Sequence, residues 1–116
     1  MSSSSNIVVL FSHAPSQDLE AAELALALAA FDEPVKVILQ GQGLQWLLPQ
    51  APLKAGGKAA HKVLAAFPLY EIELLISSQS QAWAETQQIT IPAFVRVQNR
   101  VELNHLCSTA KHCFQF

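Results

Sequence analysis

The chain has 116 residues, 51% of them apolar and only 14% charged, with a net charge of −2 and a pI near 6.0. That length suits one domain, expected over residues 1–116, and not two. The charge balance excludes a direct nucleic-acid binder, which carries a basic patch and a high pI; the sparse charge for so small a domain points instead to a surface that meets another subunit.

The run Asn6 to Phe11 is continuously apolar after its first residue, as expected of a strand covered on both faces of a parallel sheet. His13-Ala14-Pro15-Ser16 breaks it. Ser16 is the expected N-cap of a helix with Asp18 and Glu20 in its first turn, where the helix dipole favours acids. That helix is expected to run to Ala30 or Phe31. Beyond Glu23 it is apolar all round: Leu24, Leu28 and Phe31 share one face and Leu26 points almost opposite. A helix apolar on every side implies burial on every side, hence a partner; the alternative is that exposed alanines are simply good helix formers. Asp32-Glu33-Pro34 reads as a turn and Val35 to Leu39 as a second strand. The Gly41-Gln42-Gly43 turn releases that strand into an apolar hook, Leu44 to Leu48, closed by Pro49. A loop to Gly57 precedes a helix over Lys58 to Phe67, which Pro68 ends. Glu71 to Ser77 is the third strand. Ser78 to Thr86 is a helical segment with Trp83 on its buried side. Ala93 to Val97 is the fourth strand, Arg100 to Lys111 a last helix carried by Val101, Leu103 and Leu106, and His112 to Phe116 a terminal strand. This alternation predicts an α/β domain: an open, parallel, five-stranded sheet with helices on both faces and right-handed crossovers, of flavodoxin-like type.

No apolar run is long enough for a membrane span, since Leu24 to Phe31 covers only eight residues. Met1 to Ser5 carries no basic residue and Ile7 to Phe11 is too short for a signal-peptide core, so a cytoplasmic protein is expected. Two cysteines are too few for a secreted disulfide scaffold. The turn after the first strand, Ser12 to Ser16, has no glycine, position 46 is Trp where a third glycine would complete a dinucleotide loop, and no phosphate-loop motif occurs. His105, Cys107, His112 and Cys113 have the residue types of a zinc site. On a helix, however, His105 and Cys107 point about 200° apart, and adjacent strand residues His112 and Cys113 point to opposite faces. Neither cysteine sits where a thiolate is favoured, at a strand end or helix N-terminus. Ser77-Ser78 occupies the loop after the third strand, the natural reactive position of an open α/β sheet, but lacks the flanking glycine and assembled triad of a hydrolase. Lys54, Lys58 and Lys62 recur at helical spacing and read as a solvated face, or as a docking stripe for an acidic partner.

The order of these motifs resembles the DsrE/DsrF-like family, most closely its TusC/DsrF branch. The carrying residues are Gly41, Gly43, Leu44, Gln45, Leu47, Leu48 and Pro49 in the hook, then Pro68, Leu69, Tyr70, Glu71, Ile72 and Glu73 into the third strand. The first strand running into Phe11-Ser12-x-Ala14-Pro15 and the aromatic ending at Phe116 fit as well. The resemblance implies a subunit of a cytoplasmic heterohexamer that passes persulfide sulfur between cysteines. The Tus version serves 2-thiolation of the tRNA wobble uridine; the Dsr version serves intracellular sulfur oxidation. In the DsrE/TusD-type subunit the active cysteine follows the third strand, and here Ser77 and Ser78 stand in that place. A hydroxyl cannot hold persulfide sulfur, so the resemblance implies an assembly role without catalytic, cofactor or metal residues. Its expected partners are DsrE/TusD-like and DsrH/TusB-like sister subunits, or copies of itself when it is expressed alone. The expected interface residues are Leu44, Trp46, Leu47, Leu48 and Leu26, with Trp46 as anchor. The reading of another class is a stand-alone enzyme or ligand-binding domain with a pocket near Ser12, His13, Gly41 and Ser77.

Overall fold

A computed structural model describes residues 6–31 and 33–116. Asp32 of the expected turn and the serine run at the start lie outside the described residues. The elements in chain order are β1 (Ile7–Phe11), α1 (Glu20–Ala30), β2 (Val35–Leu39), a 3-10 helix (Gly41–Leu47), α2 (Ala60–Ala65), a second 3-10 helix (Phe67–Tyr70), β3 (Glu73–Ser77), α3 (Ser78–Thr86), β4 (Val95–Gln98), α4 (Arg100–Thr109) and β5 (His112–Gln115).

The five strands form one parallel sheet in the order β4-β3-β2-β1-β5. Three crossovers march in one direction from β1 to β4; the last jumps the whole sheet and sets β5 beside β1. The flavodoxin order is 2-1-3-4-5, so the likeness to that fold lies in the layers and not in the strand sequence.

Alternation within each strand divides the core in two. Ile7, Val9 and Phe11 of β1, with Val35, Val37 and Leu39 of β2, face a large layer that includes α1, α2 and both 3-10 helices. Val8, Ile38 and Leu75 face the other way and meet Leu103 of α4, with Leu10, Leu106 and Cys107 at the margin. Both sides of the inner strands are therefore apolar, which is why β1 reads as a continuous run.

Helix α1 begins at Glu20 after Leu19, whose backbone is left-handed (φ 53°). Ser16 is not its N-cap, although its Oγ accepts a hydrogen bond from the Glu20 N–H at 3.3 Å. The stripe that α1 buries is Ala21, Ala22 and Ala25, small residues that admit a close helix–sheet approach. Leu24, Leu26 and Leu28 are only half-buried, and Ala27 and Ala30 are exposed. Within this chain the helix is not buried on every side, and exposed alanine accounts for part of its apolar character. Pro68 ends α2 early by turning the chain into the second 3-10 helix, which closes at left-handed Glu71. Because α2 starts only at Ala60, beyond Gly56 and Gly57, Lys54 lies outside it, paired to Asp18, and the lysines do not form a helical stripe.

Candidate functional site

The hook is the main correction. It is a 3-10 helix folded against the end of β1, not a free surface: Leu44, Trp46 and Leu47 are buried within the chain, Trp46 to 2% exposure. The Trp46 ring lies 4.7 Å from that of Phe11, tilted by 48°, and its Nε1 donates to the His13 carbonyl at 3.1 Å. The whole indole is satisfied internally, so Trp46 has no free face with which to anchor a partner. Leu48 and Leu26 are half-buried, and Leu26 borders a groove with Val63, Ala66 and Tyr70.

The glycines of the turn have two separate causes. Gly41 adopts φ +55°, a conformation that favours glycine. Gly43 sits so close to β1 that a Cβ would lie 1.7 Å from the Phe11 carbonyl oxygen. Only glycine lets the 3-10 helix press onto the strand end, and that contact fixes the near wall of the pocket described next.

A cavity of about 690 Å³ opens at the carboxyl ends of β1, β2 and β3, where an open α/β sheet places its ligands. Four regions build it. The 3-10 helix gives Gly41, Gln42, Leu44 and Gln45; the start of α3 gives Ser77, Gln79, Ser80 and Trp83; α4 gives Arg100, Leu103, Asn104 and Cys107; Leu10, Ile38, Leu39 and Gln40 close the strand side. Gly41 and Ser77 of the expected pocket are here. Ser12 and His13 are not. The Ser12 hydroxyl accepts hydrogen bonds from Gln40 Nε2 at 2.8 Å and Gln115 Nε2 at 3.2 Å, and His13 borders a separate hollow with Trp46 and Phe116. Trp83, expected on the buried side of its helix, is 44% exposed and forms a wall of the cavity; Ala84 takes the buried position instead.

The chemistry of this lining is narrow. Among the described residues no Asp, Glu, His or Lys lines the cavity, and its one charge is Arg100, whose Nη2 donates to Gln79 Oε1 at 2.9 Å. Ser77 has no base beside it. Its Oγ accepts from the Ser80 N–H at 2.9 Å as the N-cap of α3 and donates to Ser80 Oγ at 3.0 Å. A hydroxyl committed to capping and lacking a base to take its proton is not an activated nucleophile. Ser78, its neighbour in the first turn, is exposed and outside the lining. Five neutral amides (Gln40, Gln42, Gln45, Gln79 and Asn104), one guanidinium and an apolar floor equip the cavity to bind an uncharged or singly anionic molecule. They do not equip it for acid–base catalysis. Cys107 is the one thiol in the wall; burial first, then the charge and hydrogen bond of Cys113, push it up to about 11, so it stands protonated. Among the described residues no three His, Cys, Asp or Glu side chains converge as a metal site, and no helix is long and apolar enough to cross a membrane.

Sequence reasoning missed the roles of Gln79, Trp83, Arg100 and Asn104. These residues come together only because β3 and the jump to β5 bring α3 and α4 over the same strand ends, and no local pattern marks that.

The sequence matches the family described as "DsrE/DsrF-like family" over residues 5–116. Among solved structures, the crystal structure of the ychN protein from E. coli superposes with a TM-score of 0.76 at 21% identity, covering 97% of this chain and 99% of that one. At that identity the likeness speaks for the fold. No curated protein matches the sequence.

Proposed function

The chain belongs to the DsrE/DsrF-like family, and on that premise we propose that it is a TusC/DsrF-like, non-catalytic subunit of a cytoplasmic sulfur-relay complex that supports 2-thiolation of the tRNA wobble uridine. The observation that carries this reading is the position after β3. Ser77 and Ser78 stand where the active cysteine of a DsrE/TusD-type subunit is expected, and the Ser77 hydroxyl is consumed in capping α3. Such a subunit contributes surfaces to its neighbours. With Trp46 turned inward, the surface falls to the apolar side chains left outside: Phe31 at the end of α1 (78% exposed), with Leu69 (83%) and Tyr70 on the 3-10 helix against which α1 packs. The partners in this reading are DsrE/TusD-like and DsrH/TusB-like sister subunits.

Co-expression of the tagged chain with both sister subunits tests it. A stable complex is expected, and Leu69→Glu is expected to lower its recovery about tenfold without moving the thermal midpoint of the chain itself. Failure to recover any complex overturns the reading. Measurement of 2-thiouridine in tRNA from a deletion strain separates the pathways: loss supports thiolation, and unchanged levels with impaired sulfur oxidation favour a Dsr-type role. The cavity favours one second reading, a small-molecule-binding domain that works by itself, because its lining suits non-covalent capture of an amphipathic ligand.

A further inference from the structure

Two thiols meet where the last helix hands over to the last strand. Cys107 lies on α4 beside Leu103 and Leu106 and packs at the margin of the layer formed by Val8, Ile38 and Leu75. Cys113 lies in β5, in register with Val8 of β1. Registered neighbours in a parallel sheet direct their side chains to the same face, and the face of Val8 is the one that α4 covers. The strand register therefore brings Cys113 to the side where Cys107 already sits. Their environments differ: Cys113 is exposed, whereas Cys107 is half-buried with its side chain in the cavity wall. The short turn between them is held to the sheet by the Lys111 N–H, which donates to the Asn6 carbonyl at 2.7 Å.

We propose that Cys107 and Cys113 form a thiol–disulfide exchange site whose substrates are low-molecular-weight disulfides, with Cys113 as the attacking thiol and Cys107 as the resolving one. Cys113 loses its proton to solvent, and its sulfur attacks one sulfur of a disulfide R–S–S–R. The R–S bond to sulfur stays intact; the S–S bond breaks, Cys113–S–S–R forms, and R–S⁻ leaves and takes up a proton. Cys107 then loses its proton and attacks the Cys113 sulfur, expelling the second R–S⁻, which is protonated in turn. Two cysteine thiols are oxidised to one disulfide, and R–S–S–R is reduced to two R–SH. The order follows from exposure, because only Cys113 meets a disulfide in solution. The first step also prepares the second. Capping Cys113 removes its charge from the surroundings of Cys107, leaving burial as the main influence that holds that thiol up. The site is separate from Ser77 and Ser78 and does not rest on the assembly role proposed above. Its product ties β5, a sheet edge, to α4 and draws the Cys107 sulfur out of the cavity wall.

The test is titration of the purified full chain with glutathione buffers of rising oxidised fraction, followed by acid quenching, alkylation and intact-mass measurement. The wild type is expected to pass from two alkylated thiols to none, two hydrogens lighter and with no glutathione retained. Cys107→Ser is expected to keep one glutathione on Cys113 over the same range. A wild type that stays doubly alkylated at every ratio, or that accumulates a glutathione adduct or an intermolecular dimer in place of the internal disulfide, overturns the pair. A Cys107→Ser chain that takes up no glutathione overturns the assignment of Cys113 as the attacking thiol. The wild-type reading decides the first point even if that variant does not fold.

Discussion

On one face of the sheet Phe11, Trp46, Leu64 and Phe67 pack into a closed apolar layer with α1 and α2; on the other, α4 alone rests on Val8, Ile38 and Leu75, and both ends of that face stay open. At the carboxyl end the opening is the 690 Å³ cavity. At the amino end it is a cross-strand charge network, Lys36 and Arg96 both donating to the Glu73 carboxylate. The closed face holds the large buried side chains. The thinly covered face borders the cavity at the strand ends and carries the charge network and the two thiols. A small domain that must keep a cavity does so by concentrating its hydrophobic stabilisation on one side.

That contrast can be broken by substitution. Trp46→Ala removes the ring packed at a tilt against Phe11 and leaves a void beneath a closed layer; a loss of about 3–5 kcal/mol is expected in urea denaturation. A loss under about 0.5 kcal/mol, within the usual range of surface changes, means that the 3-10 helix is a lid and not part of the core. Leu103→Ala removes the main buried contact of α4. Its neighbours border an open cavity and can collapse into it, so the expected loss is nearer 2 kcal/mol, the low end of the range for such truncations. If the two losses are equal, the faces do not differ as described.

The smallest effect is expected at the charge network. Burial pushes the Glu73 carboxyl up, but the hydrogen bonds and charges of Lys36 and Arg96 outweigh it and hold the group below its ordinary value of 4.5. A carboxyl depressed in the folded state stabilises above its unfolded value and loses that contribution as pH falls through the folded one. Glu73→Gln is therefore expected to cost less than about 1 kcal/mol at neutral pH, because Arg96 is largely solvent-exposed. The difference from wild type, followed by denaturant midpoints, shrinks below pH 4.5; a difference independent of pH removes Glu73 ionisation as its source.

Much of the fold was legible because it is periodic. Continuous β-branched runs marked β1 and β2, and alternation of strands with helices marked the parallel sheet. The hook was misplaced for a physical reason. A Leu/Trp cluster after a strand looks the same whether it faces a partner or its own core, and the choice lies in Phe11 and His13, over thirty residues away, which supply the tilted ring contact and the carbonyl acceptor. Gly43 was legible as a turn residue but not as a point of close approach, since the atom it spares belongs to β1. The site was half legible. Ser77 was located by its place at a strand end; Arg100, Asn104 and Cys107 were not, because α4 reaches the cavity only through the long crossover. Cys113 could be assigned a strand but not a face, and the face comes from its register with Val8.

That crossover also sets an exposure hazard. β1 is flanked on one side by β2 and on the other by β5, which pairs with it from about a hundred residues further along the chain, Ile7 with His112 and Leu10 with Gln115. Closing so long a loop is slow compared with local contacts. Until β5 docks, one edge of Ile7-Val8-Val9-Leu10-Phe11 presents bare N–H and C=O groups along a segment without charge or proline, the pattern that recruits other chains. Phe116 completes the cover: its N–H donates to the Leu10 carbonyl and its own carbonyl accepts from the Ser12 N–H. The terminal strand thus acts as a guard against aggregation, and loss of its few residues uncovers the most apolar strand in the protein.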